Sequence, residues 1–77
     1  MIEVTLYHDG CSVCQDIEWT MAAAFATDLH RYEAVDLSQQ KDRYGEAKAL
    51  GIERLPSLVI DGQVLRLEDH SLIDHYQ

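Results

Sequence analysis

An α/β fold is what this 77-residue chain predicts, and three observations carry the prediction. The opening run Ile2-Glu3-Val4-Thr5-Leu6-Tyr7 alternates apolar and polar residues with period 2, the pattern of a half-buried strand. Helical spacing follows at once, with Val13, Ile17, Met21, Ala24 and Phe25 recurring on one face. Near the other end, two apolar runs flank Asp61-Gly62, the dipeptide of a tight type I′ hairpin turn.

The elements follow in order. A first helix is expected from about Cys11 to Thr27, ending in the polar stretch Asp28-Leu29-His30. Arg31-Tyr32-Glu33-Ala34-Val35-Asp36-Leu37 reads as a second strand, parallel to the first because a helix separates them. Ser38 is the expected N-cap of a second helix, with Tyr44, Ala47 and Leu50 on one face and Gly51 at its stop. Leu55-Pro56-Ser57-Leu58-Val59-Ile60 is the third strand, and Gln63-Val64-Leu65-Arg66-Leu67 returns antiparallel to it as the fourth. Asp69 is the expected cap of a last short helix carrying Leu72, Ile73 and Tyr76. The predicted order is β-α-β-α-β-β-α, a four-stranded mixed sheet flanked by helices, in one domain spanning residues 1–77.

Composition narrows the function classes. Fourteen acidic residues against six scattered basic ones give a formal net charge of −8, which repels nucleic acid and anionic membrane surfaces. No apolar run approaches the ~18 residues that span a bilayer. Met1-Ile2-Glu3 lacks the basic and apolar segments of an export signal, so the expected location is cytoplasmic. There, paired cysteines are more often catalytic or metal-binding than structural. So small a domain is expected to be a monomer or a weak homodimer.

The two cysteines of the chain stand together in Cys11-Ser12-Val13-Cys14, where the first strand hands over to the first helix. Two thiols one turn apart can close a disulfide with each other. The first also faces the positive end of the helix dipole, which favours its thiolate. Cys11 is therefore the expected nucleophile and Cys14, one turn in and more buried, the resolving thiol. A zinc site normally needs four ligands, and His8, His30, His70 and His75 are separated in the sequence, so no metal site is expected. Asp9 and Asp16 oppose the Cys11 thiolate, and no lysine or arginine is local to support it.

The CSVC tetrapeptide after the first strand, the lone proline Pro56, read as opening the third, and the Asp61-Gly62 hairpin together resemble the thioredoxin-like superfamily in its smallest, glutaredoxin-type form. The resemblance covers nearly the whole chain. It implies a thiol–disulfide oxidoreductase or redox carrier acting on protein or glutathione disulfides. No cofactor would be bound, and electrons would come from glutathione or a partner reductase. It also implies that Pro56 is preceded by a cis bond and lies against the CxxC, with the Leu55-Pro56 backbone positioning substrate. The chain departs from the family at several points. Ser12-Val13 fills the motif, His8 stands where glutaredoxins carry a lysine, and Arg66-Leu67 stands where they carry Gly-Gly. A non-enzymatic module, serving as redox sensor or as a partner- or metal-binding domain, is the alternative reading.

Around the motif, His8 is read as an exposed loop residue that helps the thiolate only when protonated. Tyr7 and Trp19 are read as packing residues, with Tyr7 the better candidate for contact with substrate. Asp16 is expected to face water.

Overall fold

The computed structural model describes residues 2–10 and 12–76, with backbone alone for residues 12, 13, 68–71, 75 and 76. Strand β1 (Ile2–His8) leads to helix α1 (Ser12–Ala24) and strand β2 (His30–Asp36). A 3-10 turn (Lys41–Arg43) then runs into the short helix α2 (Tyr44–Ala49). Strands β3 (Arg54–Ile60) and β4 (Gln63–Leu72) follow, and a second 3-10 turn covers Ile73–Tyr76. The sheet order is β2-β1-β3-β4. β1 is parallel to β2 and antiparallel to β3, which is antiparallel to β4, so the sheet is mixed and carries one helix on each face.

Alternation along β1 sorts the core. Val4 and Leu6, with Leu58 of β3, face α1 and meet its Ile17, Met21 and the following Phe25. Tyr7 faces the other way and joins Val35, Leu37, Ile52, Leu55, Val59 and Ile73 under Ala47 of α2. The spacing that defined the first helix is thus its buried stripe. Helix α2 ends as Gly51 suggested. Gly51, with φ +91, donates its N–H to the Lys48 carbonyl, and the Ile52 N–H reaches the Ala47 carbonyl, which is the Schellman pattern. Asp61 and Gly62 both have positive φ, as a type I′ hairpin requires.

Three expectations are corrected. Ser38 caps no helix: its N–H and hydroxyl both bond Asp36 Oδ1, at 2.9 and 2.5 Å, in the turn after β2, and α2 begins only at Tyr44. No α-helix forms near Asp69. β4 continues through that position to Leu72, and a 3-10 turn takes up Ile73–Tyr76. Pro56 does not open β3 but is its third residue. There the β3–β4 register shifts, from Leu55 opposite Ser71 to Ser57 opposite Arg66, so Pro56 faces the four residues 67–70. A central strand tolerates proline at such a bulge because the ladder is already broken where the N–H is missing.

Candidate functional site

The site lies at the end of β1, where the chain turns into α1. Cys11 falls outside the described residues. Cys14 sits in the first turns of α1, and its side chain is 0% exposed. Its Sγ–H donates to Asp9 Oδ1 at 3.2 Å. A wholly buried thiol is kept from water, and a carboxylate oxygen is among the polar atoms it meets here.

The loop that carries Asp9 is pinned from three sides. His8 is 5% exposed, and its Nδ1 accepts the Gly10 N–H at 3.0 Å. That bond requires the lone pair on Nδ1, so a neutral His8 carries its proton on Nε2, which points toward Glu18 Oε2 at 3.7 Å. Gln15 Nε2 donates to the Gly10 carbonyl at 3.3 Å. From the residue after β2, the Leu37 N–H donates to the His8 carbonyl at 2.8 Å. Gly10 itself has φ +77, and a Cβ there would lie 2.9 Å from Asp36 Oδ2, so both conformation and space call for glycine.

His8 is therefore not the exposed loop residue the sequence suggested. It is the last residue of β1, on the face that α1 covers, and it shapes the loop rather than facing solvent. Trp19 is the opposite case. Read as a packing residue, it is 81% exposed, because it lies across α1 from the Ile17, Met21 and Phe25 stripe. Asp16 is exposed, as expected.

Leu55 and Pro56 are both fully buried, and the bond between them is cis. Tyr7 pairs with Ser57 across β1 and β3; one further step in that register sets Pro56 level with His8, at the end of the sheet from which the Asp9 loop leaves. The Tyr7 side chain goes elsewhere. Its hydroxyl donates to Glu46 Oε2 on the α2 face. Burial first and then that carboxylate push the phenol well above its ordinary range. A groove of about 620 Å³ opens on this α2 side, lined by Thr5, Tyr7, Glu33, Arg43, Glu46 and Leu50 among others, and neither Cys14, Asp9 nor Pro56 lines it. Among the described residues, no group of three or more His, Cys, Asp or Glu side chains is set to hold a metal ion.

Two carboxylates of the site went unweighed as contacts in the sequence: Asp9, bonded to Cys14, and Glu18, beside His8. Glu18 stands four residues after Cys14, the spacing that shares a helix face. Asp9 lies in a loop with no periodicity, and nothing in its spacing signals the bond to Cys14.

No protein-family model matches the chain, and no curated protein does. Among solved structures, it is similar to a dimeric thioredoxin-like protein from Nitrosomonas europea determined by solution NMR. The TM-score is 0.76 and the identity 36%, over 95% of this chain and 91% of that one. A common fold at that identity, along nearly the full length of both chains, is evidence of kinship and not of architecture alone: this chain belongs to the thioredoxin-like family.

Proposed function

We propose that the chain is a thiol–disulfide oxidoreductase in which Cys11 attacks a substrate disulfide and Cys14 resolves the mixed disulfide. The observation that carries this reading is Cys14, the second cysteine of CSVC, fully buried in the first turns of α1 with its thiol on a carboxylate oxygen. Such a thiol is sheltered from external disulfides and is suited to an internal partner three residues away. The level of Pro56 supports an extended substrate lying along the β1–β3 end of the sheet. Electrons come from glutathione or a partner reductase, with no resident cofactor.

The reading is tested with single-cysteine variants. Cys11→Ser is expected to abolish reduction of a small-molecule disulfide, and Cys14→Ser to stall as a mixed disulfide that mass spectrometry detects. Stalling in Cys11→Ser but not in Cys14→Ser overturns the assignment of roles.

The protein is also proposed to form a weak homodimer. The relative from Nitrosomonas europea is a dimer, and the outward face of α1, with Trp19, Ala22 and Ala23 exposed beside the single charge of Asp16, offers a sparsely charged surface for a second copy.

A further inference from the structure

We infer that the groove on the α2 face docks an extended, arginine- or lysine-bearing segment of a partner protein, a role independent of the exchange reading above. Register builds its floor: Glu33 of β2, Thr5 of β1 and Val59 of β3 stand level across three strands. Helix α2 has only six residues and packs its Ala47 over the cluster of Tyr7, Val35 and Leu37. The groove, about 620 Å³, opens on the rest of that face. Along β1 its lining runs from Glu3 to Tyr7, roughly 13 Å of strand, which is room for about four residues of extended chain.

The lining selects the sign of the occupant. Glu3, Glu33 and Glu46 line the groove against Arg31 and Arg43. Arg43 is committed within the chain: its Nε and Nη2 bond Glu46, and its Nη1 and Nη2 bond Glu33. Its side chain is 25% exposed, against 54% for Glu33, so the carboxylate is the group open to a ligand. Each Glu33 oxygen accepts one bond from Arg43, which leaves each a lone pair for a further donor. Arg31, the other cation, stands 3.9 Å from Glu3. A groove rich in free acceptors suits a guanidinium, whose fork meets a carboxylate with two N–H groups, or an ammonium. The methylene stem of either lies along Val59, Leu50 and the Thr5 methyl. The net charge of −8 draws in a basic segment and repels both an acidic one and a second copy of this chain.

The test titrates three probes into the full chain and follows its amide NMR shifts. One is a hexapeptide alternating leucine with arginine, the second has glutamate in place of arginine, and the third is spermidine, a free polyamine. The arginine peptide is expected to move the amides of Thr5, Glu33 and Val59, and its affinity to fall about tenfold between about 0.05 and 0.5 M salt. Glu33→Gln should weaken it about fivefold, the upper end for an exposed charge pair. Asp16→Asn removes the same charge from α1, across the sheet, and should leave the affinity within about twofold. Thr5→Phe fills the floor without altering charge and should weaken binding by about tenfold or more, which keeps the test decisive if Glu33→Gln also loosens α2. No shift at millimolar arginine peptide, equal binding of the glutamate peptide, shifts confined to α1, or full affinity in Thr5→Phe each overturns the proposal. Spermidine bound in the groove as tightly as the arginine peptide overturns it too, in favour of a site for free polyamines.

Discussion

His8 is buried for a reason visible in the alternation of its own strand. Val4, Leu6 and His8 occupy every second position of β1, and the first two face α1; the third does so too and lies beside Glu18 of that helix. Extending the period by one residue would have placed it. Trp19 yields to the same argument, since a helix that buries Ile17, Met21 and Phe25 turns residue 19 outward. Asp9 was not legible in this way, because a loop contact depends on three-dimensional closure and leaves no periodic trace. The glycine beside it gives a sharp prediction. Gly10→Ala forces a side chain into a left-handed backbone and sets its Cβ 2.9 Å from Asp36 Oδ2, which is expected to destabilise the fold by about 1–3 kcal/mol. In an Asp36→Ala background the loss should shrink toward the roughly 1 kcal/mol of the backbone conformation alone. Urea unfolding of the four proteins in this cycle checks both values, and equal losses in the two backgrounds would show that the Asp36 contact is unimportant.

At the scale of elements, all four strands were legible, β1 by its period-2 alternation and β3 and β4 as apolar runs on either side of the hairpin dipeptide that fixed their turn. The C-terminal segment was misread because Leu72, Ile73 and Tyr76 satisfy helical spacing, while the bulge that carries β4 past Pro56 has no local signature. Helix α2 is only six residues long, too short to stand on propensity, and its entry is fastened by charge. Arg43 bonds Glu46 through Nε at 2.6 Å and Glu33 through both terminal nitrogens, at 3.2 and 3.1 Å, tying α2 to β2. The guanidinium holds the Glu46 carboxyl below its ordinary value, and the Tyr7 hydroxyl adds to that. A carboxyl depressed in the folded state stabilises the fold above its unfolded value, and that stability disappears as pH falls through the folded value. Arg43→Met should therefore cost about 1 kcal/mol at neutral pH, a figure reduced for solvent screening of a half-exposed carboxylate. The gap between variant and wild type should narrow below about pH 4, where carboxylates in the unfolded chain protonate. Thermal melts of both proteins at several pH values between 3 and 7 measure it, and a gap independent of pH would remove Glu46 from the account.

For the whole molecule, the net charge of −8 acts on association more than on the fold. Two copies repel wherever their acidic surfaces meet, so a homodimer forms most readily across a face with little charge. Along the outside of α1, Trp19, Thr20, Ala22 and Ala23 are exposed and uncharged, with Asp16 the exposed charge among them. The small alanines let a second helix approach closely, while the 81%-exposed Trp19 supplies most of the apolar area. A contact one helix wide falls short of the roughly 800 Å² per partner of a standard stable interface, which is why the proposed dimer is expected to be weak. Salt should strengthen it, because screening weakens the repulsion between the acidic surfaces and leaves the apolar contact in place. Sedimentation velocity is expected to show the two-chain fraction rising with protein concentration and again between about 0.05 and 0.5 M salt, as the screening length falls from over 10 Å toward a few ångströms. Trp19→Glu should leave only the single chain under all of these conditions, with unfolding temperature nearly unchanged because the side chain packs against little in its own chain. A two-chain species that persists in Trp19→Glu would move the interface to another face, and a wild-type protein that stays single at every concentration would remove the dimer.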